Sequence, residues 1–142
     1  MADNEKQSVL FICAHNSARS QMAEGLLRSM YGSRYDAYSA GSDPMPVHPL
    51  AIEVMAEIGI DISSHTSKSL DELGGRMFDY VVAICGSSNE QCPFYLGGKT
   101  QLHAGVDDPL AVEGSQEEMR SAFRRTRDEL KDWIEKTFGK TE

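Results

Sequence analysis

A cysteine and an arginine stand six residues apart, where an apolar run changes into a helical pattern. Cys13 directly follows the run 9–12 (VLFI), and Arg19 closes the loop that begins after it. Backbone N–H groups of a tight loop and the positive end of the following helix attract an oxyanion and stabilise a thiolate. The planar donor fork of arginine matches a tetrahedral oxyanion better than a lysine does. The predicted oxyanion-binding loop consists of Ala14, His15, Asn16, Ser17, Ala18, Arg19 and Ser20, with Cys13 as the catalytic nucleophile.

Several of these residues have simpler interpretations. A single cysteine after a strand is usually an inert, small apolar residue, and only the arginine at this spacing favours a catalytic one. Asn16 either holds the loop and adopts a left-handed backbone, or is an ordinary turn residue. Ser20 either donates a hydrogen bond to the thiolate or caps the helix.

Two consecutive acids, Asp107 and Asp108, precede a proline after a weak strand pattern. At such a position a structural role, in a turn or a helix cap, is about as common as a catalytic one. Transfer of a phosphoryl or arsenyl group needs an acid that protonates the departing oxygen. Asp108 is therefore the predicted general acid, and Asp107 is the weaker candidate.

The other two cysteines, Cys85 and Cys92, flank a short polar segment. Their spacing is too long for a zinc knuckle and the histidines show no paired spacing, so no metal site is predicted. A redox pair fits better. A helix over this segment would separate the two backbones by about 10 Å, whereas a disulfide needs Cα atoms about 5.5 Å apart. Residues 86–89 (GSSN) are poor helix formers, so we expect the segment to change shape on oxidation.

Composition restricts the partners. The 142 residues carry a formal charge of −8, which argues against a nucleic-acid surface and leaves attraction of an anion to the loop itself. No stretch reaches the length of a signal core or a membrane span. Three cysteines are few and odd in number, as expected for reactive or metal-bound thiols in a reducing compartment rather than for structural disulfides. We therefore expect a cytoplasmic, soluble monomer with no membrane contact and no bound cofactor.

Strand and helix patterns alternate along the chain. The predicted strands are 9–12, 35–40, 80–84 and, more weakly, 100–104, and the predicted helices are 22–30, 50–58 and one that follows a Ser115–Glu118 capping box. Gly32 and Gly59 are predicted to end the first two helices. This order implies a single three-layer α/β domain over 1–142, with a four-stranded parallel sheet and helices on both faces. Because sites in such sheets lie at the carboxyl ends of strands, Cys13 and Cys85 should meet at one edge.

Several segments resemble those of thioredoxin-coupled arsenate reductases, which share the low-molecular-weight protein tyrosine phosphatase fold. These segments are the run 9–25 (VLFICAHNSARSQMAEG), YSAG at 38–41, DISSHTS at 61–67, VVAIC at 81–85, Cys92-Pro93 and DDP at 107–109. The resemblance extends over nearly the whole chain, in order and with compatible spacing.

The resemblance implies a relay of thiols. Cys13 would attack arsenate held by Arg19 and the loop amides, while Asp108 protonates the leaving oxygen. Cys85 would then attack the Cys13 sulfur and release arsenite, and Cys92 would free Cys13 by bonding to Cys85. Thioredoxin would reduce the final disulfide, with glutaredoxin as the alternative reductant. Phosphate and sulfate would compete with arsenate for the loop.

Some positions depart from the family pattern. Ala14 and His15 stand where many relatives have Thr-Gly, and Ala18 stands where many have another cysteine. Lys68 stands where some relatives use an acid to hold a monovalent cation. We therefore expect no potassium requirement, with the lysine ammonium as a substitute for the cation.

An alternative function is that of a low-molecular-weight phosphotyrosine or phosphomonoester phosphatase, because phosphate fits the same loop. Cys85 and Cys92 have no role in ester hydrolysis, and Leu110 stands where the similar phosphatases favour an aromatic residue. A non-catalytic oxyanion-binding or redox-sensing module is a third interpretation.

Overall fold

Four parallel strands form one sheet in a computed structural model that describes residues 6–86 and 92–139. The strand order is β2-β1-β3-β4. The strands are β1 (Gln7–Cys13), β2 (Tyr35–Gly41), β3 (Phe78–Cys85) and β4 (Gly98–Gly105). All three pairings between neighbouring strands are parallel. The parallel α/β fold expected from the alternation of patterns is confirmed.

The strand that carries Cys13 lies in the middle of the sheet, between β2 and β3. Residues 9–12 are fully buried, as expected of a parallel strand covered on both faces. Their side chains alternate between two layers: Val9 and Phe11 belong to one core cluster, and Leu10 and Ile12 to the other. Cys13 continues the alternation on the side of Phe11.

Three α-helices cover the Phe11 side of the sheet, and we call this the helical face. They are α1 (Arg19–Tyr31), α2 (Pro49–Ala56) and α3 (Gln116–Phe138). The three pack on one another and share the larger core cluster. The largest side chains buried in this layer are Phe11, Met22, Leu26, Leu27, Met55, Ile62, Ile84, Phe123 and Phe138. The helix α3 begins at the predicted capping box, since Ser115 Oγ accepts from the N–H of Glu118 at 3.1 Å.

The opposite face of the sheet is covered more thinly, and we call it the thin face. Its buried cluster consists of Leu10, Ile12, Ala40, Phe78 and Val81. A 3₁₀ helix, Leu70–Leu73, and the ring of Tyr95 pack against this cluster. Both faces therefore carry helical structure, as expected, but three α-helices stand against one 3₁₀ turn among the described residues.

Element boundaries follow the sequence patterns with small differences. Gly32 caps α1 as predicted. The helix α2 ends at Ala56, before the predicted stop at Gly59, because the N–H groups of Ile58 and Gly59 bond to carbonyls three residues earlier. Of the residues in β4, only Ala104 is buried, which explains its weak pattern. None of the described helices is long and apolar enough to cross a bilayer.

Candidate active site

The loop between β1 and α1 is tied through its carbonyl groups to the segment 43–48. The bonds run from the N–H groups of Asp43, Met45 and His48 to the carbonyls of Ala14, His15 and Ser17, at 2.7, 2.8 and 2.9 Å. In a trans peptide the carbonyl and the following N–H point in opposite directions. The amides of residues 15, 16 and 18 therefore point away from this segment. Such an array of backbone donors is suited to bind an anion.

Gly41, the last residue of β2, gives this loop the room it needs. A Cβ atom added to Gly41 would lie 2.8 Å from Ala14 O and from Asn16 N, and 2.9 Å from Cys13 O. These are backbone atoms of the loop, so they cannot turn aside as a flexible side chain can. A glycine is required here for close approach rather than for backbone conformation.

The Cys13 sulfur lies within hydrogen-bond distance of the Ser20 hydroxyl, which Asn16 holds in place. Ser20 Oγ lies 2.9 Å from Cys13 Sγ and accepts from Asn16 Nδ2 at 2.8 Å. The orientation of the Asn16 amide is fixed because its Oδ1 accepts from the backbone N–H of Lys68 at 2.8 Å. Besides accepting from Asn16, the hydroxyl has one proton and a second lone pair, so it can donate to a thiolate at Cys13 or accept from a thiol. Ser20 is therefore placed to act as a hydrogen-bond partner of the Cys13 sulfur.

Asn16 itself has the left-handed backbone expected of it, with φ of 48°, and is fully buried. Gln21 Nε2 donates to its Oδ1 at 3.1 Å and to its carbonyl at 3.0 Å. Gln21 Oε1 lies 2.9 Å from His65 Nδ1, and His65 Nε2 lies 3.0 Å from an Arg28 nitrogen. Burial lowers the pKa of His65, consistent with a neutral ring that donates through Nδ1 and accepts from Arg28.

Arg19 and Asp108 lie together at the mouth of the loop. Arg19 is buried, and its guanidinium donates to the Val106 carbonyl at 2.9 Å. A second guanidinium nitrogen lies 3.9 Å from Asp108 Oδ2. Asp108 Oδ1 accepts from the N–H of Leu110 at 2.9 Å and so caps a 3₁₀ helix, Pro109–Ala111. The recess between them is lined by Cys13, His15, Ser17, Ala18, Arg19, Asp108 and Leu110.

The N-terminus of α1 has no acidic group of its own. Ala18, at the N-cap, makes no side-chain cap, and the first turn contains no acidic residue. By contrast, the helices that follow Ser69 and Ser115 begin with capping boxes closed by a glutamate. Helix N-termini carry a partial positive charge, so α1 adds positive potential beside the loop. No acidic side chain in the first turn of α1 offsets this potential.

Cys85 and Cys92 form a disulfide, with Cα atoms 5.4 Å apart, whereas Cys13 is a free, buried thiol. Their separation is about half of the ~10 Å that a helix over seven residues would give. The predicted change of shape concerns mainly residues 87–91, which lie outside the described part of the chain. Cys92 is exposed and Cys85 is buried.

Cys13 and Cys85 end neighbouring strands at the same edge of the sheet, as predicted. Ile12 pairs with Ala83, so Cys85 stands one residue beyond the position opposite Cys13. Strand spacing of about 4.8 Å and a rise of about 3.3 Å place the two Cα atoms about 6 Å apart. Side chains alternate along β3, and Ile84 belongs to the helical face. In this oxidised form the Cys85 side chain therefore belongs to the thin face, opposite to Cys13.

His103 on β4 contacts the disulfide. Its Nε2 lies 3.1 Å from Cys85 Sγ and 3.2 Å from the Cys85 carbonyl oxygen. Cys85, Cys92 and His103 are also a candidate metal-ligand set among the described residues, with their ligand atoms within 4.8 Å of one another. The two sulfurs are bonded to each other, so neither is the thiolate that a soft metal requires in this form.

Lys68 and Asp107 lie near the site but not in the recess. The Lys68 ammonium donates to the Thr66 carbonyl at 2.7 Å. The nearby carboxylate of Glu24 is buried and is hydrogen-bonded to Arg28, at 2.5 Å, and to Ser39. Asp107 packs against Gly86, where an added Cβ would lie 2.6 Å from Asp107 Cα. Of the two predicted acids, it is Asp108 that lines the recess.

Three residues at the site have no strong signal in the sequence: Gly41, His48 and His103. His48 caps α2 and its backbone holds the loop; burial lowers the pKa of its ring, and the charge of Asp108 opposes that effect. His103 precedes by two residues the partner of Cys85 in the sheet register. Locating it required the register of an edge strand that the sequence predicts only weakly.

Comparison with known proteins agrees with this geometry. Residues 8–141 match the family described as low molecular weight phosphotyrosine protein phosphatase. This chain belongs to that family. One curated relative, an arsenate reductase of Halalkalibacterium halodurans, is 44% identical over 136 residues, which are 96% of this chain and 97% of the relative.

Solved structures of family members are also similar. An arsenate reductase in a phosphate-binding state superposes with a TM-score of 0.79 at 30% identity, covering 96% of this chain and 99% of that one. A thioredoxin-dependent arsenate reductase of Corynebacterium glutamicum has a TM-score of 0.61 at 34% identity, covering 95% of this chain and 64% of that one. Members of the family thus include arsenate reductases.

Proposed function

We propose that this protein reduces arsenate to arsenite with the thiols of Cys13, Cys85 and Cys92, and that thioredoxin restores them. The observation that carries the proposal is the placement of the cysteines. A free thiol lies in an oxyanion loop, and a disulfide begins at the end of the neighbouring strand. The relatives named as arsenate reductases, one of them thioredoxin-dependent, support the same function.

In the first step the Cys13 sulfur attacks the arsenic of arsenate. The sulfur reacts as a thiolate, to which the Ser20 hydroxyl can donate, and the loop amides with Arg19 hold the oxygens of the substrate. Asp108, at the mouth of the same recess, gives its proton to the departing oxygen, which leaves as water. The product is a covalent adduct of arsenic on Cys13.

In the second step the Cys85 thiolate attacks the Cys13 sulfur. The electron pair of the sulfur–arsenic bond passes to arsenic, which leaves as arsenite, and a Cys13–Cys85 disulfide forms. The estimated Cα separation of about 6 Å lies within the range for a disulfide. The Cys85 side chain must turn from the thin face toward Cys13, at a point where β3 ends and Gly86 follows.

In the third step the Cys92 thiolate attacks Cys85 Sγ and releases the Cys13 thiolate. The resulting Cys85–Cys92 disulfide is the form described above. Of its two cysteines, Cys92 is exposed and Cys85 is buried, so an incoming thioredoxin thiolate attacks Cys92. The relay needs reduced thiols at the start of each cycle, and we place it in a reducing compartment, the cytoplasm.

Phosphate-ester hydrolysis uses the same loop and remains the alternative activity. It has no use for a disulfide next to the nucleophilic cysteine. The mouth of the recess is also lined by an aliphatic residue, Leu110, rather than by an aromatic ring that could stack on a phosphotyrosine. Reduction of arsenate therefore accounts for more of the site than hydrolysis does.

A single-turnover experiment tests the relay. Reduced protein is mixed anaerobically with excess arsenate in the absence of thioredoxin, and arsenite and remaining thiols are counted. We expect about one arsenite and the loss of about two thiols per chain. Cys13→Ser should give no arsenite. Cys92→Ser should give about one arsenite and a trapped Cys13–Cys85 disulfide, and should not cycle when thioredoxin is added.

The variants also serve as controls for one another. In Cys92→Ser, phosphate should protect Cys13 from alkylation, which verifies that the loop is intact. Continued cycling of Cys92→Ser with thioredoxin, or arsenite production by Cys13→Ser, would contradict the proposal.

A further inference from the structure

The two sulfurs of the Cys85–Cys92 disulfide have different surroundings. The Cys92 side is exposed, whereas Cys85 is only 6% exposed. Attack by a reductant on Cys92 makes Cys85 the leaving group. The bond between the sulfurs breaks, and its electron pair remains on a buried sulfur. A buried anion without a hydrogen-bond donor is costly, so this step depends on what surrounds Cys85.

A donor is already placed at that sulfur. His103 Nε2 lies 3.1 Å from Cys85 Sγ. The same nitrogen lies 3.2 Å from the Cys85 carbonyl oxygen, and a carbonyl oxygen only accepts. Nε2 is therefore the nitrogen that carries the proton. This N–H is shared between a neutral oxygen and a disulfide sulfur, and a thiolate formed at Cys85 would be the stronger acceptor of the two.

The sheet holds the imidazole in place. His103 pairs with Ala83 and Gly105 pairs with Cys85 in the parallel register of β3 and β4. The imidazole therefore lies on the same face of the sheet as the Cys85 side chain, level with Ala83, two residues before Cys85. It belongs to strand β4, so the pairing of β4 with β3 sets its position.

We propose that His103 is a catalytic residue of the re-reduction step, in which its Nε2–H stabilises the leaving thiolate of Cys85. This role rests on the proposed function. The reductant is a dithiol. Its first thiolate bonds to Cys92 Sγ, the Cys85–Cys92 bond breaks, and Cys85 leaves as a thiolate hydrogen-bonded to His103 and later takes a proton from water. The second thiol of the reductant then displaces Cys92, so that one disulfide is exchanged for another.

The test uses chains that carry Cys13→Ser, so that only Cys85 and Cys92 can form a disulfide. The disulfide is formed with diamide, and its reduction by dithiothreitol is followed at pH 7. This small dithiol needs no docking surface and no arsenate. We expect His103→Leu to be reduced about 10- to 100-fold more slowly. His103→Gln keeps an N–H donor at about the same distance and should recover most of the rate.

Thr100→Val is the matched control, because it removes an exposed polar group from the same strand at nearly constant volume. Its rate should equal that of the parent. Reduction of His103→Leu within twofold of the parent would overturn the proposal, and so would equal slowing of the Leu and Gln variants. Folding of His103→Leu is verified in the chain that retains Cys13, where bound phosphate should protect this thiol from alkylation by iodoacetamide. Because no step requires arsenate, failure here is distinct from failure of the arsenate relay.

Discussion

Gly41 is 28 residues from Cys13 in sequence, yet the oxyanion loop packs into the space that a side chain at this position would fill. The Cα hydrogen of a glycine leaves space for the carbonyls of Cys13 and Ala14 and the amide of Asn16. A methyl group at this position has to displace backbone, and overpacking of this kind typically costs about 1–3 kcal/mol. The cost falls on the loop because β2 is paired along its whole length with β1.

Gly41→Ala should therefore weaken oxyanion binding more than it weakens the fold. We expect an affinity for phosphate at least ~10-fold lower, from about 1.4 kcal/mol or more of loop distortion. The measurement is the phosphate concentration that half-protects Cys13 from iodoacetamide. Gly105→Ala is the control, since an added Cβ there would meet His103 only at 3.8 Å. An unchanged phosphate affinity in Gly41→Ala would show that the loop tolerates the methyl group.

At this scale the sequence indicates the residues that react and not those that shape the space around them. Cys13 and Arg19 are recognisable because they are close in sequence and their chemistry is specific. Asp107 and Asp108 are of the same residue type, and only the structure shows which of the two side chains lines the recess. Gly41 and His103 act through contacts that only the sheet register creates.

Among the elements, the segment that follows Cys92 has the exposure expected of a docking surface for a reductant. Phe94 is 64% exposed and Leu96 is 82% exposed. Between them, Tyr95 turns inward, where its ring packs on Phe78 and its hydroxyl donates to the Arg76 carbonyl at 2.6 Å. One side chain thus anchors the segment, and the residues on either side of it are exposed to solvent. They follow closely in sequence after Cys92, where the proposed reductant attacks.

Leu96→Ser should weaken the interaction with thioredoxin without affecting the chemistry of the disulfide. Loss of an apolar contact of this size corresponds to about 1–2 kcal/mol, or an increase of roughly 5- to 30-fold in the KM for thioredoxin. Reduction of the same variant by dithiothreitol should be unchanged. Ile58→Ser is a matched control, because Ile58 is an exposed apolar residue on another element. An unaltered KM would mean that thioredoxin docks elsewhere.

The elements themselves were predictable where burial determines sequence. The strand β1 has its apolar run because both of its faces are covered, and α3 has its capping box and its apolar stripe. The strand β4 lies at the edge of the sheet and buries only Ala104, so hydrophobic periodicity carries little information about it. The end of α2 depends on local backbone hydrogen bonds, and the hydrophobic periodicity of the sequence does not predict these bonds.

In the whole molecule, an ion cluster joins α2 to α3 on the helical face. Glu57, directly after α2, accepts from Arg124 at 2.7 Å and from Arg127 at 2.9 Å, both on α3. Arg127 also donates to the Val54 carbonyl at 2.8 Å. Hydrogen bonds from Arg124, with a further contribution from Arg127, lower the pKa of Glu57 from about 4.5 to about 2.

This pKa determines how the cluster responds to acid. A carboxyl whose pKa is lower in the folded state stabilises the fold above its unfolded pKa, and the contribution is lost as pH falls toward the folded value. The Glu57 contribution should therefore be complete at pH 7, begin to decline near pH 4.5 and be largely absent near pH 2. Glu57→Gln should be less stable than the parent to urea at pH 7, and the difference should shrink between pH 4.5 and pH 3.

Glu129→Gln, an exposed position on α3, is the control for removal of a negative charge from the same surface. Its difference from the parent should be small at every pH. A Glu57→Gln difference that stays constant from pH 7 to pH 3 would exclude a role for the carboxylate charge in joining the helices.

The unequal covering of the two faces was not visible in the sequence, because alternation predicts a parallel sheet without fixing how much structure lies on each side. At one edge of this sheet, alternation along the strands places the Cys13 side chain on the helical face and the Cys85 side chain on the thin face. Substrate and electrons therefore have separate entrances. A competitor that blocks one entrance leaves the other accessible, so phosphate in the recess is not expected to hinder recharging of the spent enzyme. Selectivity for the oxyanion and the choice of electron donor can then evolve independently.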